Sequence, residues 1–144
     1  MNSLPKRKEL RLKNYDYSSN GYYFVTICTN NKQPFIKRHR KEIERTLLSL
    51  PVKFPGLTLD YYCLMSTHLH IILILDKVKV TLSQIVRAFK ALVTKSIGGE
   101  SFWQRNYYEH VIRTEKALSK IQEYIQNNLL VERMKFEQFY EAVR

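Results

Sequence analysis

The chain has 144 residues, 44% of them apolar and 26% charged, the make-up of an ordinary globular domain, which excludes collagen-like, low-complexity and intrinsically disordered classes. No unbroken apolar run exceeds five residues, Ile71 to Leu75 being one, against the roughly 18 or more that a membrane span needs. Twenty-four Lys and Arg against 13 Asp and Glu leave a formal charge of +11, so a polyanion is the expected partner and a membrane is not.

Residues 1–144 read as one domain, because no repeat, Gly/Ser linker or Pro-rich tract divides them. The basic segment Met1 to Lys13 carries no apolar stretch of the secretory kind, so a cytoplasmic location is expected. Tyr22 to Thr29, after Asn20-Gly21, is dense in aromatic and β-branched residues and predicts a first strand. Pro34 is expected to keep the next stretch irregular. Lys41 to Leu50, with Ile43, Leu47, Leu48 and Leu50 in helical register, predicts a first helix ended by Pro51 and Pro55. Leu57 to Met65 and His68 to Leu75 predict two strands joined as a hairpin through Ser66-Thr67. Thr81 and Gln84 have capping-box spacing, and Leu82, Ile85, Val86, Phe89, Leu92 and Val93 extend a second helix to about Ile97, where Gly98-Gly99 releases it. Tyr107 to Arg113 predicts a fourth strand, and Thr114 caps a third helix carrying Leu118, Ile121 and Ile125. Residues 131–144 are loosely amphipathic, with Val131, Met134, Phe139 and Val143. The order β-α-β-β-α-β-α predicts an α+β fold, a ferredoxin-like split βαβ with a central antiparallel sheet and an added C-terminal helix.

The positive charge is spread over Lys6 to Lys13, Lys37 to Lys41 with Arg45, and Arg87, Lys90 and Lys95. Such a spread suits phosphates along an extended face, and the ten Tyr, seven Phe and one Trp offer stacking surfaces for unpaired bases. A solvated surface over an aromatic-rich core accounts for the same composition. Cys28 and Cys63 stand apart in apolar stretches and read as reduced core thiols.

Residues alternate across a strand, so His68 and His70 share one face, where two imidazoles can hold one metal ion. The HxH pattern alone fits hydrogen-bonded structural histidines equally well. On the third predicted helix, Tyr124 and Asn128 lie one turn apart on one face and present a phenol beside an amide oxygen. A packing tyrosine beside Ile121 and Ile125, with a capping asparagine, is the plainer reading of that pair alone. Lys120, one turn before Tyr124, can reach a phosphate or simply face water. His110, with Tyr107 and Tyr108, reads more simply as part of a core than as a second acid-base group, and His39 sits within the basic run.

Taken together and in order, several blocks resemble the single-tyrosine HUH transposases, the family of the smallest bacterial insertion sequences and of the REP-associated tyrosine transposases. These are Tyr15 to Ser18 before Gly21 to Thr26, Met65 before His68-Leu69-His70, Phe89-Lys90, the run from Phe102 to Arg113 (FWQRNYYEHVIR), and Glu123-Tyr124-Ile125 with Asn127-Asn128. The resemblance spans about Leu12 to Leu130, and the FWQRNYYEH block leans toward the REP-associated branch. Two departures stand out. Ser66-Thr67 replaces a common Pro followed by Asn or Asp, and Leu129 replaces a proline after Asn127-Asn128.

The resemblance implies that His68, His70 and Asn128 hold one divalent cation, Mg²⁺ or Mn²⁺, and that Tyr124 attacks a DNA phosphate to give a 5′-phosphotyrosine link. It implies single-stranded DNA, folded as a hairpin, as the substrate, with Lys90, Arg105, Arg113 and Lys120 as candidate DNA contacts. Insertion-sequence members resemble homodimers in which one chain's tyrosine helix serves the other chain's histidines, whereas REP-associated members act alone. Two rival classes remain: a noncatalytic binder of structured DNA or RNA, and a metal-dependent nuclease that activates water.

Overall fold

The computed structural model describes residues 20–30, 33–98 and 102–127. Four strands, β1 (Gly21–Cys28), β2 (Leu57–Leu64), β3 (His68–Leu75) and β4 (Tyr108–Ile112), form one antiparallel sheet in the order β2-β3-β1-β4. Helices α1 (Phe35–Arg38), α2 (Arg40–Lys53) and α3 (Leu82–Ile97) belong to one face, and α4 (Glu115–Gln126) to the other. This is the expected split βαβ arrangement with one added helix.

Strand alternation divides the core into two. Tyr23, Val25 and Ile27 of β1 and Leu69, Ile71, Leu73 and Leu75 of β3 point one way, into a layer closed by Ile36, Ile43, Leu47, Leu50, Ile85, Phe89 and Val93. Phe24 and Ile72 point the other way and meet Ala117, Ile121, Tyr124 and Ile125 of α4. Burying each large aliphatic or aromatic side chain here contributes about 1.5–3 kcal/mol. In β2 the register shifts between Leu59 and Tyr62, so that Leu59 opposes Leu73 and Tyr62 opposes Ile71. The extra residue lets Tyr61 and Cys63 join the α4 side while Tyr62 and Leu64 stay on the other.

The caps follow the sequence closely. Thr81 Oγ1 accepts from the Gln84 amide at 3.2 Å, and Gln84 Oε1 accepts from the Thr81 amide at 2.9 Å. Thr114 Oγ1 accepts from the Ala117 amide at 3.1 Å. Gly56, at φ +95°, lets the loop before β2 approach the end of β3, where a Cβ would stand 2.3 Å from the Asp76 carbonyl oxygen.

Some expectations are corrected. Pro34 does not keep its successors irregular: it stands at the start of the single turn α1, where a missing amide costs nothing. Pro51 does not end the next helix, which runs on to Lys53 and is closed by the Phe54 amide donating to Leu50 at 2.8 Å. Leu48 is 52% exposed and lies off the buried stripe of Ile43, Leu47 and Leu50. Strands β1, β2 and β4 each stop a residue short of the expected end. Residues 131–144 lie outside the described residues, as do Tyr15 to Ser18.

Candidate active site

Four residues in register form one row across the sheet on the α4 face: Tyr108 of β4, Thr26 of β1, His70 of β3 and Cys63 of β2. His68 heads the next row, opposite Cys28. The alternation expected of His-x-His is therefore realised, and the two imidazoles meet edge to face with centroids 4.9 Å apart. His70 is fully buried and His68 partly so. Thr26, also fully buried, sets its Oγ1 2.8 Å from His70 Nδ1. Phe24 stacks on the same ring at 5.5 Å. On the other histidine, Thr67 Oγ1 lies 3.3 Å from Nδ1.

Helix α4 brings the phenol to this pair. Its buried positions Ala117, Ile121, Tyr124 and Ile125 follow helical spacing and drive that stripe onto Phe24, Ile72 and Ile112. Gln122 Nε2 donates to Asp60 Oδ2 at 2.7 Å, tying the helix to the bulge in β2. Tyr124 Oη then lies 3.4 Å from His70 Nε2, with the rings edge to face at 5.2 Å. Asn128 lies just beyond the described residues, one position after Asn127, whose amide closes α4 on the Glu123 carbonyl at 2.9 Å.

The hairpin turn before His68 is braced from three sides. The Met65 amide donates to the His68 carbonyl at 2.9 Å across Ser66-Thr67, so the departure from the resembled turn sequence still closes a hairpin. The Thr67 carbonyl accepts from the Thr29 amide at 2.8 Å and the Thr29 hydroxyl at 3.0 Å, and the Ser66 carbonyl from the Ile36 amide at 3.2 Å. The 102–106 loop is pinned alongside: Asn30 donates to the Phe102 and Trp103 carbonyls, and the Gln104 amide to the Cys28 carbonyl.

Electrostatics follow from burial. Desolvation, reinforced by neighbouring His68, holds His70 well below the ordinary 6.5, so at neutral pH it is the uncharged imidazole that a metal requires. Burial pushes the Tyr124 phenol above 10, and Cys63 adds to the effect, so the hydroxyl keeps its proton at neutral pH. His110 is lowered to about 4 by burial and then by Arg113. It sits in the α4-facing side of β4 but one row away from the Thr26–His70 row, opposite Phe24. Among the described residues no group of three or more His, Cys, Asp or Glu side chains is placed to hold a metal ion. Two imidazoles beside a phenol are the described donor set, which fits an ion that takes a further ligand such as an amide oxygen.

Of the expected DNA contacts, Arg105, Arg113 and Lys120 are exposed. Lys90 is placed differently: its ammonium donates to the Gln104 and Asn106 carbonyls at 2.9 and 3.1 Å and lies 6.0 Å from the Tyr107 ring, bracing the 104–107 segment against α3. The sequence names Thr26 only within the Gly21 to Thr26 block and Thr67 only in the hairpin turn; their hydroxyl contacts to the two imidazoles, and the Asp60 contact to Gln122, follow from strand pairing that no local pattern contains.

This arrangement has known relatives. The family model described as IS200-like transposase matches residues 17–128. A protein of Haemophilus influenzae is 36% identical over 157 aligned positions, covering 85% of this chain and 87% of the relative. Among solved structures, a REP-associated tyrosine transposase bound to a REP hairpin superposes with a TM-score of 0.75 at 20% identity, covering 85% of this chain and 74% of that one. A putative transposase from Deinococcus radiodurans gives 0.54 at 19% identity, covering 81% and 95%. These two share the fold. With the family match spanning His68, His70 and Tyr124, the chain belongs to the IS200-like transposases.

Proposed function

We propose that this chain cleaves and rejoins single-stranded DNA carried on a hairpin, with Tyr124 as the nucleophile. The observation that carries the reading is the 3.4 Å approach of Tyr124 Oη to His70 Nε2, beside the second imidazole of the pair. A packing tyrosine has no need to set its hydroxyl against a buried imidazole of a His-x-His pair across a helix-sheet interface. The REP hairpin named for the solved relative supports a hairpin as the substrate here. The +11 charge and exposed Arg105, Arg113 and Lys120 agree with a DNA strand passing near α4 and β4.

His68, His70 and Asn128 would hold a divalent cation, Mg²⁺ or Mn²⁺. Bound there, it would supply Lewis-acid polarisation of the scissile phosphate and stabilise the developing charge. The chain's own residues do the rest. Tyr124 Oη forms a bond to phosphorus as the bond from phosphorus to the 3′ oxygen breaks. The products are a 5′-phosphotyrosine and a free 3′-hydroxyl, with the phenolic proton balancing the proton gained by the leaving oxygen. Because the ester is conserved, a 3′-hydroxyl can reverse the step and rejoin strands. A free phenol is a poor nucleophile at neutral pH, so charge developing at its oxygen needs stabilisation as the bond to phosphorus forms. Its position on α4, held by Ile121 and the Gln122–Asp60 bond, fixes the attacking oxygen relative to both imidazoles.

The test is covalent trapping. With Mn²⁺ and end-labelled single-stranded hairpins of randomised flanks, the parent should give a protein-DNA adduct that survives denaturing electrophoresis, whereas Tyr124→Phe should fold, bind and give none. Calorimetry should show Mn²⁺ binding that His68→Ala and His70→Ala lose. An adduct that persists in Tyr124→Phe would move the chemistry to another tyrosine, and no adduct from the parent with any hairpin would make the chain a noncatalytic binder.

A further inference from the structure

We propose that Thr26 is a positioning residue that holds His70 in the tautomer with its proton on Nδ1, leaving the Nε2 lone pair directed at Tyr124. The inference rests on the metal-site reading above and names how the ligating nitrogen of that site is chosen.

The two ring nitrogens of His70 have unequal surroundings. Among the described residues, Nδ1 has a short contact of 2.8 Å to the Thr26 hydroxyl and Nε2 a long one of 3.4 Å to Tyr124. Nitrogen-to-oxygen hydrogen bonds cluster near ~2.9–3.0 Å and weaken steeply beyond. The whole ring is buried, so a proton on Nε2 would leave a donor with a poor acceptor, which is costly out of water. A proton on Nδ1 is well served by Thr26 Oγ1. Among the described residues the Nε2 lone pair then meets the phenolic hydroxyl, a contact weak enough for a cation to replace. Metal-ligating histidines generally donate their other N–H to a fixed acceptor in this way.

Thr26 is itself immobile. It is fully buried at the centre of the sheet, paired with His70 on β3 and Tyr108 on β4, and its β-branched side chain has few rotamers. Phe24, two residues earlier on the same face, stacks against the imidazole and holds its plane. The partner histidine repeats the pattern loosely, with Thr67 Oγ1 3.3 Å from His68 Nδ1. Both Nδ1 atoms thus face threonine hydroxyls.

The test reads the tautomer in the metal-free protein. In ¹⁵N-histidine-labelled chain, with the four imidazoles distinguished by a His70→Asn reference, long-range ¹H–¹⁵N spectra at neutral pH should show His70 protonated at Nδ1. Thr26→Val, which keeps the side-chain shape, should abolish that preference and weaken Mn²⁺ binding by about 10- to 100-fold. Thr26→Ser should restore both. A parent protonated at Nε2 overturns the inference without any variant, as does a folded Thr26→Val that keeps the Nδ1 proton and the parent's Mn²⁺ affinity. If the parent binds no Mn²⁺, the metal reading fails by itself, while the metal-free spectra still decide the role of Thr26.

Discussion

Acidification should destabilise this protein through its buried histidines, and His110 allows the effect to be measured. The side chain is 6% exposed on β4, and its pKa falls from 6.5 to about 4 because burial, and then Arg113, disfavours the imidazolium. As the pH drops below about 6.5, the unfolded chain takes up a proton that the folded chain refuses, so stability declines until the folded group also titrates near 4. At about 1.36 kcal/mol per pH unit of displacement the full gap is worth roughly 3 kcal/mol, and about 2–3 once solvent screening at an edge strand is allowed for. Fully buried His70 acts in the same direction. The assay is urea unfolding of the parent and of His110→Gln at about pH 7, 6, 5 and 4, with stability taken from the midpoint and slope. The variant retains the carboxylates and His70, so the difference between the curves isolates His110. The parent should lose about 2–3 kcal/mol more than the variant over that range. Parallel curves would refute the argument, showing that the folded imidazole titrates as freely as the unfolded one.

Three further outcomes are expected. Ile121→Ala, at a fully buried position beneath the tyrosine helix, should cost about 2–5 kcal/mol in urea unfolding, whereas Leu48→Ala at an exposed position of α2 should cost under about 0.5. Gly56→Ala forces a side chain into a left-handed backbone against the Asp76 carbonyl and should cost at least ~2 kcal/mol, a fall of several degrees in Tm by calorimetry. Lys90→Met should destabilise by about 1–2 kcal/mol through loss of its two carbonyl contacts, yet leave the salt dependence of hairpin binding unchanged. A slope shallower by ~0.7 on a log-log plot would instead make Lys90 a phosphate contact.

Local signals were legible because their causes are local. Side-chain alternation put His68 and His70 on one face whatever the sheet around them, and the spacing of Ile121, Tyr124 and Ile125 put the phenol on the buried stripe of its helix. The capping box at Thr81 and Gln84 and the release at Gly98 are likewise contained in a few neighbouring residues. Proline was misread where position outweighs identity, at Pro34 opening a turn and at Pro51 near a helix end. The tertiary structure decided everything that depends on which strand lies beside which. Residues 44 positions apart bring the Thr26 hydroxyl to His70, and residues 54 apart bring Tyr124 to the same ring. The bulge in β2 turns Cys63 to the site and places Asp60 under Gln122, and Lys90 is drawn from solvent to loop carbonyls. Each of these follows from strand register and from burial shared between distant segments, quantities that exist only once the chain has closed on itself.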